Sequence, residues 1–221
     1  DARSLLRLNW RASACTLYLC ELLARITVPG TNQAGIFSLA VSSLDFLCTN
    51  TPGVSFLFWF ELHLADLLGF SPVLDNCVAC RRPSSGNSAP VQGDADRLWT
   101  FSATRGGLVC PLCARDSESD PSGYSTDSSV PATPDVLAIL RRWQTSDSPR
   151  AAQNTRCSAN QFLAFQRLLG IFLGFHLDIA LTGRRIVVAM LSKDSTALVF
   201  DSDASAAEHQ NKHYNKGDQK A

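Results

Sequence analysis

The sequence predicts a mainly α protein, a helical bundle domain with a four-cysteine zinc ribbon inserted into it. Three observations predict this class. Apolar residues recur three and four apart on both sides of a central polar stretch. One segment, residues 55–68, is apolar nearly all round, as a helix at the centre of a core is. Two Cys-x-x-Cys pairs, Cys77/Cys80 and Cys110/Cys113, bracket the turn-rich residues 81–109.

The first helix is expected over residues 12–26. Leu5, Leu8 and Ala12 begin its stripe, Leu17, Cys20 or Glu21, and Ala24 continue it, and Pro29-Gly30 ends it. A second helix, residues 35–47, carries Ile36, Leu39, Ala40, Leu44 and Leu47 on one face and stops at Thr51-Pro52-Gly53. The third, residues 55–68, runs Phe56-Leu57-Phe58-Trp59-Phe60 and then Leu62, Leu64, Leu67 and Leu68, with Gly69 as C-cap and Pro72 beyond. Within it Glu61 calls for a cation, expected to be an arginine of the first helix, and His63 reads as a core or boundary histidine.

Each Cys-x-x-Cys knuckle can aim two thiolates at one point, and two knuckles make a closed tetrahedral set for zinc, Cys77, Cys80, Cys110 and Cys113. Disulfides would require an oxidising compartment, and a redox Cys-x-x-Cys is usually single. A closed four-sulfur site leaves no position for substrate, so one structural zinc per chain is expected to support folding and not catalysis. Between the knuckles, the loop Ser84–Ser88, the run Leu98-Trp99-Thr100-Phe101 and the turn Gly106-Gly107 describe a β-ribbon. Cys15, Cys20, Cys48 and Cys157 stand among apolar neighbours and read as small buried hydrophobes.

Residues 116–133 are rich in Ser, Asp, Pro and Gly and read as a linker. Thr133-Pro134 opens a helix over residues 135–144. Ser158-Ala159-Asn160-Gln161 is a capping-box pattern opening another, residues 159–177, with Phe162, Phe165, Leu169 and Phe172 on its apolar face. Gly170 and Gly174 on that helix suit close helix packing. Residues 186–191 and 197–200 read as a β-hairpin, and 201–221 as a polar tail in which His209 and His213 are solvated. The expected parts are therefore 1–74 and 135–184 for the two halves of the helical domain, 75–115 for the ribbon, 116–134 for the linker, and 185–221 for a divergent tail.

Composition narrows the function. The chain has 221 residues, 45% of them hydrophobic and 18% charged, which suffices for a sizeable core. Formal net charge is zero, so bulk charge offers no argument for nucleic-acid binding. An acidic stretch, 116–149, precedes a basic one, 150–193. The apolar run 162–181 is broken by Arg167 and Asp178, short of the ~18–20 uncharged residues a membrane span needs. No phosphate-binding glycine loop, His-Glu-x-x-His or Gly-x-Ser-x-Gly is present, so no enzyme is expected. The sequence begins at Asp1 and reads as a fragment of something longer.

The stretch Phe60-Glu61-Leu62, Leu67-Leu68-Gly69-Phe70-Ser71-Pro72, Leu74-Asp75-x-Cys77-x-x-Cys80, then Phe101-Ser102 and Gly106-Gly107-Leu108-Val109-Cys110-Pro111-x-Cys113, resembles the bacterial recombination mediator family RecO. Tyr18-Leu19-Cys20-Glu21-Leu22-Leu23 is similar to the helix that opens that family's helical domain. The resemblance implies a helical domain with a zinc ribbon, preceded in the family by an OB-fold that has no counterpart here. It implies single- and double-stranded DNA as ligands, weakly held without the OB-fold. It also implies strand annealing, RecA loading, RecR and single-strand binding protein as partners, no membrane, and a cytoplasmic, nucleoid-associated location. On that reading Arg81, Arg82, Arg97, Arg105, Arg141, Arg142, Arg184 and Arg185 are the candidates for phosphate contact, with Trp99 and Trp143 either stacking bases or filling the core. The alternative is a stand-alone structural zinc-ribbon module that binds protein and not DNA.

Overall fold

The computed structural model describes residues 4–28, 30, 33–84, 99–118 and 129–192. A 3₁₀ turn, Ser4–Arg7, leads into α1 (Trp10–Ile26), α2 (Ala34–Thr49) and α3 (Val54–Leu67). A three-stranded sheet and a short helix follow: β1 (Trp99–Ser102), β2 (Gly107–Val109), α4 (Pro111–Glu118) and β3 (Ser129–Ala132). The chain then returns to the bundle as α5 (Pro134–Gln144), α6 (Arg150–Gln153) and α7 (Ala159–Leu177). Residues 182–192 form a last helix, α8.

Local chemistry accounts for the helix ends. The Asn9 side chain accepts from Arg11 N and Ala12 N at 3.0 and 3.3 Å, satisfying two donors that the first turn of α1 leaves over. Ser158 and Gln161 form the expected capping box at the start of α7. α3 ends where Gly69 takes φ +85, and Phe70 N returns to Ala65 O at 3.0 Å, a left-handed stop that needs no Cβ.

α3 is the axis of the core. From Val54 to Leu62 every residue is buried, and only His63 interrupts the run before Leu64 and Ala65. Phe58 meets both Trp143 of α5 and Phe165 of α7, with ring centroids at 6.4 and 6.0 Å, and Phe46 of α2 stacks on Phe56 at 5.4 Å. His63 lies at the rim, its Nε2 3.1 Å from Trp143 O and its ring against Trp59. Trp143 is fully buried and donates Nε1–H to Thr155 Oγ1 at 3.1 Å, so it fills the core and offers no face to a base.

The sheet has the order β2-β1-β3, all antiparallel, with Phe101 opposite Leu108 on one side and Val130 on the other. β3 lies inside the segment expected to be a linker. Its Ser-Val-Pro-Ala composition is a poor strand signal, but at an edge Pro131 has no ladder bond to forfeit. Val73 bridges to the same hairpin: Leu108 N donates to Val73 O at 2.9 Å and Val73 N to Gly106 O at 3.0 Å. A Cβ at Gly107 would come 2.5 Å from Val73 O, so only glycine admits this crossing. Phe101 then presents its ring to Phe172 of α7 at 5.6 Å, which seats the sheet on the bundle.

The structure corrects four expectations. Residues 186–191 are helical and not a hairpin strand: Val187, Val188 and Leu191 are buried at spacings of one, three and four, and tertiary burial overrides the β preference of Ile-Val-Val. Residues 197–200, the other half of that hairpin, lie outside the described residues. In α1 the buried stripe is Ala12, Cys15, Leu19 and Leu22, while Leu8 and Leu17 are 81% and 72% exposed. Cys20 is exposed too; Cys15 is buried, and Cys48 and Cys157 are half-buried. Finally, Glu61 pairs with Arg184 of α8, not with an arginine of α1, which supplies Tyr18 instead.

Candidate metal centre

The first knuckle is a backbone device. Arg81 N donates to Cys77 O and Cys77 N to Arg82 O, both at 2.8 Å, so residues 77–82 close on themselves. Arg81 makes the return with φ +59, a left-handed conformation costing roughly 1–2 kcal/mol in a non-glycine residue. Val78 N donates to Leu108 O at 2.8 Å, tying the knuckle to β2. The second knuckle ends β2 and begins α4: Ala114 N donates to Cys110 O at 3.0 Å, and Pro111 takes the first helical position, where a missing N–H costs nothing.

These two turns bring Cys77, Cys80, Cys110 and Cys113 together, with their sulfurs all within 4.8 Å of one another. Cys80 Sγ and Cys110 Sγ are 3.6 Å apart. A tetrahedral ion with metal–sulfur bonds of ~2.3 Å requires sulfur–sulfur edges of about 3.8 Å, so the set fits a metal. Cys77 and Cys110 are buried, Cys113 is half-buried and Cys80 is exposed.

The protonation chemistry agrees. Burial pushes the Cys77 thiol up, but N–H groups of Cys80, Cys110 and Ala79 aimed at its sulfur outweigh burial and hold it at about 6. The Cys110 N–H···Sγ contact to Cys77 is 3.3 Å. Burial, then the hydrogen bonds that the Cys113 thiol donates to Cys110 and Cys80 and repulsion from neighbouring sulfurs, push Cys113 up to about 12, and burial also raises Cys110. The Cys77 thiolate is stabilised by the fold, and Cys110 and Cys113 resist ionising beside it. A cation at the centre removes that repulsion.

The ribbon contributes little apolar packing at this corner. Cys77, Val109 and Cys110 form a small buried cluster separate from the main core, with Val78, Trp99 and Leu112 at its edge. One side chain of the bundle grips the first knuckle's neck, and two others hold the lead-in to it, residues 70–72. Arg141 of α5 donates to Leu74 O and Ser84 Oγ and pairs with Asp75 at 3.0 Å. Gln144 Nε2 donates to Ser71 Oγ and Pro72 O at 2.8 and 3.0 Å. His176 of α7 stacks on Phe70 with centroids at 4.9 Å.

The eight arginines singled out in the sequence are not equivalent. Arg81, Arg105, Arg142 and Arg185 are exposed and Arg82 half-exposed. Arg97 lies outside the described residues. Arg141 is held by the ribbon, as above. Arg184 is buried: its guanidinium reaches Glu61 at 2.8 and 3.0 Å, and Nη1 donates to Gln166 O at 3.1 Å. Gly170 makes room for it, since a Cβ there would stand 3.1 Å from Arg184 Nη1. Arg184 is therefore an internal counter-ion and presents no charge to solvent. The sequence placed Arg184, like Arg185, among the candidates for phosphate contact. The available signal was Glu61, a carboxylate inside an apolar helix that had to find a cation.

Among the described residues no helix is long and apolar enough to cross a membrane. The molecule is thus a mainly helical domain with a small sheet and a four-cysteine corner. A family profile described as "Recombination protein O C terminal" matches residues 7–185, and the chain belongs to that family. Among curated proteins it is similar to a DNA repair protein RecO of Dehalococcoides mccartyi, 26% identical over 144 residues, covering 65% of this chain and 49% of that protein. A DNA repair protein RecO of Syntrophomonas wolfei is 27% identical over 134 residues, covering 61% and 45%. One of Caldanaerobacter subterraneus is 30% identical over 101 residues, covering 45% and 36%. The chain spans about half the length of the first two of these relatives, and less of the third.

Proposed function

We propose that this chain is the helical, metal-ribbon part of a DNA repair and recombination mediator. It holds DNA and partner proteins and makes or breaks no covalent bond. The observation that carries the reading is the family match, which runs through bundle and ribbon together, over residues 7–185. The metal is zinc, because four thiolates in a closed set suit a soft, redox-inert, tetrahedral ion. When bound, zinc supplies folding energy to the ribbon. The residues that hold it are Cys77, Cys80, Cys110 and Cys113.

The helical domain is taken to comprise 1–74 and 135–184, with the ribbon at 75–115. Strand annealing and RecA loading with RecR and single-strand binding protein, in a cytoplasmic, nucleoid-associated setting, are the activities and partners this reading assigns to the whole mediator. In this chain, phosphate contacts fall to the solvent-facing arginines: Arg81, Arg82, Arg105, Arg142 and Arg185.

Fluorescence anisotropy with labelled single-stranded DNA over a range of salt tests it. Affinity is expected to be weak, indifferent to sequence and steeply salt-dependent. Reversing Arg142 and Arg185 together is expected to reduce the slope of log affinity against log salt by about 1.4 units. No binding even at low salt would favour the second reading, a module that binds protein alone. Two observations speak for that reading: zero net charge, and the internal engagement of Arg141 and Arg184.

A further inference from the structure

We propose that Arg141, which lies on α5 and outside the ribbon, is a positioning residue of the metal centre: its guanidinium holds the backbone that carries Cys77 and Cys80 and thereby sets metal affinity. The inference rests on the reading that the four thiolates bind zinc, and it concerns a residue that touches neither metal nor ligand.

The first knuckle hangs from a neck of two strands of chain, residues 74–76 and 83–84. The neck is closed by an Asn76–Pro83 bridge and by Ser84, whose N donates to Asp75 O at 2.8 Å and whose Oγ donates to Leu74 O at 3.0 Å. Arg141 grips both sides of this neck at once. Nε donates to Leu74 O at 3.1 Å and lies 3.0 Å from Asp75 Oδ1, while Nη2 reaches Leu74 O and Ser84 Oγ. One planar, forked donor therefore spans a carbonyl, a carboxylate and a hydroxyl that belong to opposite sides of the neck. Its Leu74 end is sheltered, Leu74 being 2% exposed, while the Asp75 carboxylate faces solvent at 79%.

Beyond these hydrogen bonds the neck gains little from apolar packing. Among the described residues the small cluster at the cysteine corner has three buried members, and the Arg81 turn is itself strained. A loop of this kind must be ordered when the ion binds, and that ordering subtracts from affinity. Arg141 orders it beforehand from a helix anchored by the buried Val136, Leu137, Leu140 and Trp143. Residues that orient ligands from outside the coordination sphere typically change metal affinity 10–100-fold when removed. Linkage requires the reverse as well: the ion, by fixing the neck, steadies α5.

The test compares reduced wild-type protein with Arg141→Gln, Arg141→Lys and Arg142→Gln. Zinc affinity is read by competition with a chromophoric chelator, and backbone order by hydrogen exchange with and without zinc. Arg141→Gln is expected to weaken zinc binding about tenfold or more at unchanged stoichiometry. Arg141→Lys is expected to recover little, because one ammonium cannot span both sides of the neck. Arg142→Gln, at the exposed neighbouring position, is expected to bind as wild type. Zinc is expected to slow exchange along α5 in wild type and to lose that effect in Arg141→Gln, while α3 stays protected in both. Wild-type zinc binding with Arg141→Gln affinity within twofold would overturn this inference alone. Absence of zinc binding by wild type would overturn the metal reading, and this inference with it.

Discussion

The bundle and the ribbon meet at Phe101, Phe172 and Arg141, yet they are held together by different means. The bundle centres on α3, with aromatic rings of α2, α5 and α7 packed on its buried face. The ribbon corner has Cys77, Val109 and Cys110 for a core. Burial of apolar area at about 25 cal/mol per Å² can hold the first and has too little to act on in the second. At that corner the four cysteines substitute for a core, whereas Phe101, Leu108 and Ala132 of the sheet share the bundle's own; the cysteines' metal should therefore matter locally while the bundle survives without it.

The largest expected effect separates the two regions outright. Cys77→Ser breaks the ligand set and replaces a buried sulfur, and it is expected to abolish tight zinc binding and unfold the ribbon. Metal binding of structural zinc contributes on the order of 10 kcal/mol in small domains. Cys48→Ser, at a half-buried position away from the site, is expected to cost no more than about 1 kcal/mol. Zinc content and urea denaturation of the two variants, side by side, check this.

A second, smaller effect tests what holds the bundle. Glu61 is fully buried between Arg184 and the Tyr18 hydroxyl, which donates to it at 2.7 Å. Glu61→Leu leaves a buried guanidinium uncompensated and is expected to destabilise by about 3–5 kcal/mol. The double variant Glu61→Leu/Arg184→Met removes both charges and is expected to recover most of that loss. Thermal unfolding measures both, and zinc stoichiometry is expected to stay unchanged in each. A double variant as unstable as the single would show that Arg184 acts through something other than charge compensation.

The smallest effect lies at the seam. His176 stacks between Phe70 and Phe172, and burial holds its pKa below the ordinary histidine value, against a smaller opposing hydrogen bond to the Ala103 backbone. A depressed folded-state pKa means that the stability it contributes is present above the unfolded value, about 6.5, and is lost as pH falls through the folded one. His176→Phe keeps the stacking and is expected to flatten that part of the stability–pH curve in zinc-loaded protein. An unchanged curve would place the acid sensitivity in another group.

The two regions also differ in how far they could be read from sequence. The helices over 12–26, 35–47, 55–68, 135–144 and 159–177 each have a counterpart in the structure within a few residues, because Pro and Gly punctuation and apolar spacing coincide there. Their faces were harder. α1 carries apolar residues on more than one face, and the stripe read from sequence included Leu17, which is 72% exposed, and Leu8, which precedes the helix. Nothing local distinguishes the faces, since the choice depends on which side meets α3 and α8. α8 itself was hidden by its β-branched residues, and β3 by its proline. That the four cysteines of the two knuckles come together was legible, because Cys-x-x-Cys spacing is a local property. Arg141 and Arg184 were not, since a guanidinium's partner is fixed only when distant segments come together: Leu74 in one case and Glu61 in the other.

The most direct measurement is hydrogen exchange on the reduced 221-residue chain, residue by residue, before and after zinc is removed with a chelator. Protection is expected to be lost at residues 71–84, 99–118 and 129–132, to weaken along α5, and to be retained in α3 with its partners in α2 and α7. Equal loss of protection in α3, or no loss in the ribbon, would contradict this expectation.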